Sequence, residues 1–198
     1  MNKQLLVDVR PFEITPTQIH ESMEKNGGKL VVKGVLQRAE SKNQNGRVYP
    51  REVLLREVGK YLDTNVTERR ALGELDHPES SVVNLNNASH NILEMHWDGD
   101  DLLGTVEVLS TPAGNILKEL FKSGIKLGIS SRGLGSVEPM QEDTDTVEVQ
   151  PDFELIAFDF VSNPSTHGAF MRPVNEGVDK KTSKYTNIQR IVTDIMRG

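Results

Sequence analysis

At 198 residues the chain is long enough for one domain with a sizeable core, and a content of 36% hydrophobic but only 5% aromatic residues makes that core aliphatic. A net charge of −6 argues against a general nucleic-acid binder, and the absence of cysteine excludes disulfides, thiol catalysis and sulfur-ligated zinc. Neither a signal-peptide pattern nor an apolar run of membrane-spanning length is present, so the reading is a soluble intracellular protein without a membrane partner.

In chain order, Leu5–Val9 reads as a short strand, and Thr15-Pro16 opens a helix that Asn26-Gly27-Gly28 ends. Lys29–Leu36 is β-branched and predicts a strand buried on both faces. A polar loop, Gln37–Asn45, closes on Asn45-Gly46-Arg47-Val48-Tyr49-Pro50. Val53, Leu54, Val58, Tyr61 and Leu62 then recur at helical spacing over about residues 51–62. In Gly73-Glu74-Leu75-Asp76-His77-Pro78, the proline biases His77 towards extended backbone, where an imidazole can serve as a base. A metal site from Glu74, Asp76 and His77 is disfavoured, because adjacent residues seldom point at one ion. Asn84–His90 reads as a loop. Asn91–Trp97 and Leu102–Leu109 read as a hairpin about Asp98-Gly99-Asp100-Asp101. Thr111-Pro112 caps a helix that Gly124 ends.

Lys126–Ser136 then places two adjacent serines, three glycines and an arginine after a short apolar segment, read as a strand running into a Gly-rich turn. A nucleophilic serine needs a base in reach and free backbone N–H groups for an oxyanion, which glycines permit. Gln141–Thr146 reads as a mobile acidic loop, and Thr146–Val149 and Phe153–Val161 as strands. Asp159 stands in a very apolar run, where a carboxylate needs a partner or an edge position. From Arg172 the chain turns linker-like, followed by an amphipathic helix over 183–197. Residues 172–198 carry six basic and three acidic side chains, a net +3 on an acidic body. This suggests a domain over 1–171 and a separate basic tail over 172–198, with a helix docked on the core as the equal alternative.

Ser130 or Ser131, His77 and Asp159 together offer a nucleophile, a base and an orienting acid. In strand geometry the two serines face opposite ways, so only one can meet His77. The stretches Asn45–Pro50, Gly73–Pro78, Gly128–Ser136 and Phe158–Ser165 resemble, in this order, the prohead (capsid maturation) serine proteases of T-even-like tailed bacteriophages, over about residues 29–171.

That resemblance implies an α+β fold like the herpesvirus assemblins, a small β-barrel or bent antiparallel or mixed sheet ringed by helices. It implies a serine endopeptidase with no cofactor and no metal, housed in the immature capsid. Its substrates and partners would be scaffold and core proteins, the major capsid protein precursor and itself, cut after glutamate; no nucleic acid is required. Gly128-Ile129-Ser130 resembles the Gly-Val-Ser that carries the family nucleophile and favours Ser130 over Ser131. Asp159 stands where herpesvirus relatives carry a second histidine. The N–H groups of Arg132 and Gly133 are the oxyanion candidates, and the Arg132 guanidinium can also meet substrate. In the tail, Val174-Asn175-Glu176-Gly177 fits a self-cleavage site after Glu176, and Glu21 is a less accessible second candidate. A core component that keeps the fold without the chemistry is the alternative, and a metal-dependent hydrolase centred on His77 a third reading. The oligomeric state, a homo-oligomer included, stays open.

Overall fold

The computed structural model describes residues 4–12, 16–76, 78, 80–125, 127–140, 145–162 and 172–173. Three helices and eleven strands form an α+β architecture among them. The helices are α1 (Pro16–Lys25), α2 (Arg51–Tyr61) and α3 (Pro112–Lys122). The first sheet orders β1 (Gln4–Phe12), β7 (Leu127–Gly135) and β10 (Glu154–Val161), all antiparallel. The second orders β11 (Arg172–Pro173), β2 (Val31–Arg38), β6 (Asp101–Val108), β5 (Ala88–Asp98) and β4 (Leu72–Glu74). A small third sheet joins β3 (Arg47–Val48), β9 (Val147–Val149) and β8 (Val137–Pro139), with β3 and β9 parallel.

Side-chain periodicity explains most of this. In α2, Val53, Leu54, Val58 and Tyr61 are buried on one face, and the helix bridges two apolar clusters. Val53 and Leu54 join Leu6, Tyr49, Val149 and Phe153. Val58 and Tyr61 join the larger cluster, with Ile19 of α1 and Leu117 and Phe121 of α3. Helix α3 starts as its sequence predicts. The Thr111 hydroxyl accepts from the Gly114 N–H at 3.1 Å, Pro112 follows the cap, and Gly124 at φ 72° takes the chain out.

Three expectations change. Asn84–His90 is not all loop: a 3-10 turn over Leu85–Asn87 leads straight into β5, and Ala88, Ser89 and His90 are buried. Period-two reading misses these polar residues because their partners come from other strands. Strand β2 is not buried on both faces throughout, since Lys33 is exposed. The serine stretch does not run into a turn; β7 continues unbroken through Gly135 as the central strand of its sheet. There Gly133 serves close packing. A Cβ on it would lie 2.4 Å from the Phe153 ring and 2.6 Å from the Glu154 carbonyl oxygen.

Strand β4 joins the two larger sheets. Leu75, just past its end, bridges in parallel to Phe160 of β10, and the Asp76 N–H donates to the Phe160 carbonyl at 2.8 Å. This approach requires Gly73, whose added Cβ would sit 1.9 Å from the Phe158 carbonyl oxygen and 2.2 Å from Nε2 of His90. The expected tail helix over 183–197 lies outside the described residues, as do residues 141–144 of the acidic loop. Arg172 and Pro173, read as linker, pair with Lys33 and Val32.

Candidate active site

In the antiparallel register of β7 and β10, Ser130 stands directly opposite Asp159. Directly opposed residues share a face of the sheet, and residues two apart along a strand do also. Ser130, Arg132 and Asp159 therefore share one face, and Ser131 points to the other. There the Ser131 hydroxyl accepts from Gln37 Nε2 at 2.9 Å. Ser130 and Asp159 are fully buried and Ser131 nearly so.

Asp159 receives its strongest described partner from the neighbouring strand. Arg132 donates from Nε to Oδ2 at 2.8 Å and from Nη2 to Oδ1 at 3.2 Å, and the Glu74 N–H donates to Oδ1 at 2.9 Å. Arg132 Nη2 also reaches Glu74 Oε1 at 3.0 Å, and Nη1 reaches the Ser80 carbonyl at 2.6 Å. All three charged side chains have zero exposure. One guanidinium against two carboxylates leaves a formal charge of −1. Glu74 Oε1 accepts further from the Asn84 N–H at 3.0 Å, while Oε2 has no hydrogen-bond partner among the described residues. A buried pair of this kind survives only because its hydrogen-bonding capacity is largely met. The carboxylate that sequence placed awkwardly in an apolar strand is thus held by an arginine.

The same contacts redirect the role expected of Arg132. Its guanidinium faces two carboxylates and a loop carbonyl, with no side-chain exposure. Its N–H and that of Gly133, expected to be freed by a turn, lie within β7 with register partners in β1 and β10 on both sides. Glu74, weighed as a metal ligand, is committed to Arg132 and Asn84. No group of three His, Asp or Glu residues that could hold a metal occurs among the described residues.

His77 lies outside the described residues, but the chain on either side is placed. It leaves β4 at Glu74, anchors Asp76 on Phe160, one residue beyond Asp159, and returns at Ser80 to the Arg132 guanidinium. Asp76 adopts φ 70°, a left-handed turn that aspartate tolerates better than most residues.

Sequence reading missed two groups here. Burial holds the His90 imidazole down to about 4, against the pull of Asp159 and of its bond to Phe158. Its Nε2 lies 2.8 Å from the Phe158 carbonyl and Nδ1 2.8 Å from the Ser89 hydroxyl. A carbonyl only accepts, so Nε2 carries the hydrogen and Nδ1 accepts from Ser89. The Tyr61 phenol is buried, and burial together with negative Asp159 pushes it well up. Neither residue sits in a recognisable motif. The polar run around His90 and the helical spacing of Tyr61 gave no hint of a shared site.

Comparison with known proteins gives the class: a profile of the prohead core protein serine protease family matches residues 6–179, and the chain belongs to that family. It is a serine protease of the prohead type. Among individual relatives, it is 35% identical over 151 residues to the prohead core protein protease of Enterobacteria phage T4, covering 73% of this chain and 68% of that one. The structure of the bacteriophage T4 capsid assembly protease, gp21, superimposes with a TM-score of 0.70 at 27% identity. The match covers 83% of this chain and all of the other. No helix among the described residues is long and apolar enough to cross a membrane.

Proposed function

We propose that this chain is the endopeptidase of a phage prohead, acting in capsid maturation on scaffold and core proteins, on the capsid-protein precursor and on itself, with cleavage after glutamate. Ser130 is the nucleophile, His77 the base and Asp159 the orienting acid. The observation that carries the assignment is the cross-strand pairing of Ser130 with Asp159 on one face, at the point where the His77 segment is tied to β10. Ser131 is disfavoured by its commitment to Gln37 on the opposite face. The bridge from β4 to β10 supports reading the two larger sheets as one bent sheet.

In this reading the Ser130 hydroxyl attacks the scissile carbonyl as His77 takes its proton. Asp159 favours the imidazolium that forms. The tetrahedral intermediate then collapses, His77 returns the proton to the leaving amine, and water hydrolyses the acyl-enzyme by the same route. The surplus negative charge of the buried cluster favours a cation at the base in the transition state.

Incubation with a capsid or scaffold precursor tests this. Ser130→Ala and His77→Ala should each lose nearly all cleavage, and the double variant should be little worse, because members of a triad act as one unit. Activity surviving in Ser130→Ala but not in Ser131→Ala moves the nucleophile by one residue. Activity surviving in both overturns the assignment.

A further inference from the structure

Arg132 makes contacts that a simple partner for Asp159 would not need. Its guanidinium donates to Asp159 on β10, to Glu74 at the end of β4 and to the Ser80 carbonyl. Glu74 and Ser80 are the two ends of the short segment that carries His77. Asn84, further along the same loop, donates its N–H to the oxygen of Glu74 that Arg132 holds. Leu75 donates to the Asn87 carbonyl at 3.0 Å, so the whole return of the chain closes on this point. Arg132 itself projects from β7 two residues beyond Ser130, on the same face.

We propose that Arg132, braced by Glu74, is the positioning residue of the site: one buried guanidinium fixes Asp159 and both ends of the His77 segment to the strand that carries Ser130. This rests on the assignment of those three residues above. Arginine suits the task because its planar fork serves three acceptors at once. Lysine keeps the charge but is a point donor on a flexible stem. The three groups come from β7, β10 and the β4–β5 connection, elements distant in sequence. Misplacement by about 1 Å is enough to cost a reaction roughly 100-fold. The clamp therefore acts on the rate of the chemical step and not on substrate affinity, and neither Arg132 nor Glu74 touches the reacting atoms.

Labelling by a fluorophosphonate, followed by mass spectrometry, tests it on the full chain. Wild type should be modified at Ser130 and Ser130→Ala should not. In Arg132→Lys the maximal labelling rate should fall about tenfold or more while half-saturation stays within about twofold. Glu74→Gln, which keeps an acceptor of the same shape, should move the same way by less. Hydrogen exchange should rise over residues 75–87 in both, with the rest of the molecule unchanged. Wild type that is unlabelled, or labelled elsewhere, removes the Ser130 assignment and the inference with it. Labelling of Ser130 with both variants folded and at wild-type rate overturns the inference alone. If Arg132→Lys does not fold, Glu74→Gln decides by the same criteria. If neither folds, the cluster is a folding determinant and the inference also fails.

Discussion

Asp159 has two jobs that pull in different directions. As the orienting acid it must favour an imidazolium at His77; as the partner of Arg132 it neutralises a guanidinium with no exposure to water. From the sequence alone, Asp159→Asn is expected to fold normally and lose only rate. The structure alters half of that. The substitution leaves Arg132 paired with Glu74, so no buried charge is orphaned, but it weakens the two charge-assisted hydrogen bonds that Arg132 gives to Asp159, a loss of about 3 kcal/mol. In a domain of this size, that lowers the melting temperature by roughly 6–12 °C. The amide oxygen introduced by the substitution can still accept from the Glu74 N–H, so the fold should survive at 25 °C. Activity there should fall by about 10⁴, the loss measured for such a substitution in another triad. Calorimetry and cleavage assays on the same preparation check both. An unshifted melting temperature would show that Arg132 does not depend on Asp159, and near-normal activity would remove Asp159 from the triad.

The junction of β4, β5 and β10 sets a pH limit on the fold. His90 on β5 donates to β10 at Phe158, lies edge-on to Phe160 with ring centroids 4.7 Å apart, and fits only because residue 73 of β4 lacks a Cβ. Its imidazole is held down to about 4, below the 6.5 of an unfolded chain. Above pH 6.5 it is neutral in both states and changes nothing. Between 6.5 and 4 the unfolded chain takes up a proton that the folded protein refuses, so stability falls as pH falls. Below 4 the loss is complete, on the order of 3 kcal/mol. Melting temperature followed from pH 7.5 to 4.5 should drop, and His90→Gln should flatten that segment of the curve even if it lowers stability overall. An identical slope in the variant would assign the acid sensitivity to other groups. This junction also shows where sequence reading stops. Helices α2 and α3 and the β5–β6 hairpin were legible because apolar spacing, caps and turn residues are local signals. Ser130, Asp159 and the His77 stretch stood out as candidates by residue type and setting. Their connection through Arg132 was not, because an arginine beside glycines looks solvent-facing until β10 and β4 are known to flank it. Nor could sequence separate a glycine that turns the chain from one, like Gly133, that lets an aromatic ring press on a strand.

At the scale of the whole molecule, the open matter is the end of the chain. Strand β11 extends the second sheet by pairing Arg172 with Lys33 and Pro173 with Val32. The proposed self-cleavage site follows three positions later, at Val174-Asn175-Glu176-Gly177. A cut after Glu176 would leave β11 on the edge of β2 and release residues 177–198 with their basic surplus. The other glutamate considered, Glu21, lies within α1, where helical backbone resists entry into a protease cleft. Intact-mass measurement of stored protein should therefore show a wild-type product ending at Glu176 that is absent from Ser130→Ala and from Glu176→Gln. Because the cut spares β11, the trimmed product should melt at the same temperature as the uncut serine variant. A product ending before Arg172 would strip β11 and lower that temperature, and would place the boundary inside the body. Cleavage that proceeds equally in Ser130→Ala would assign the cut to another protease. A tail that persists through maturation would make residues 177–198 part of the working enzyme.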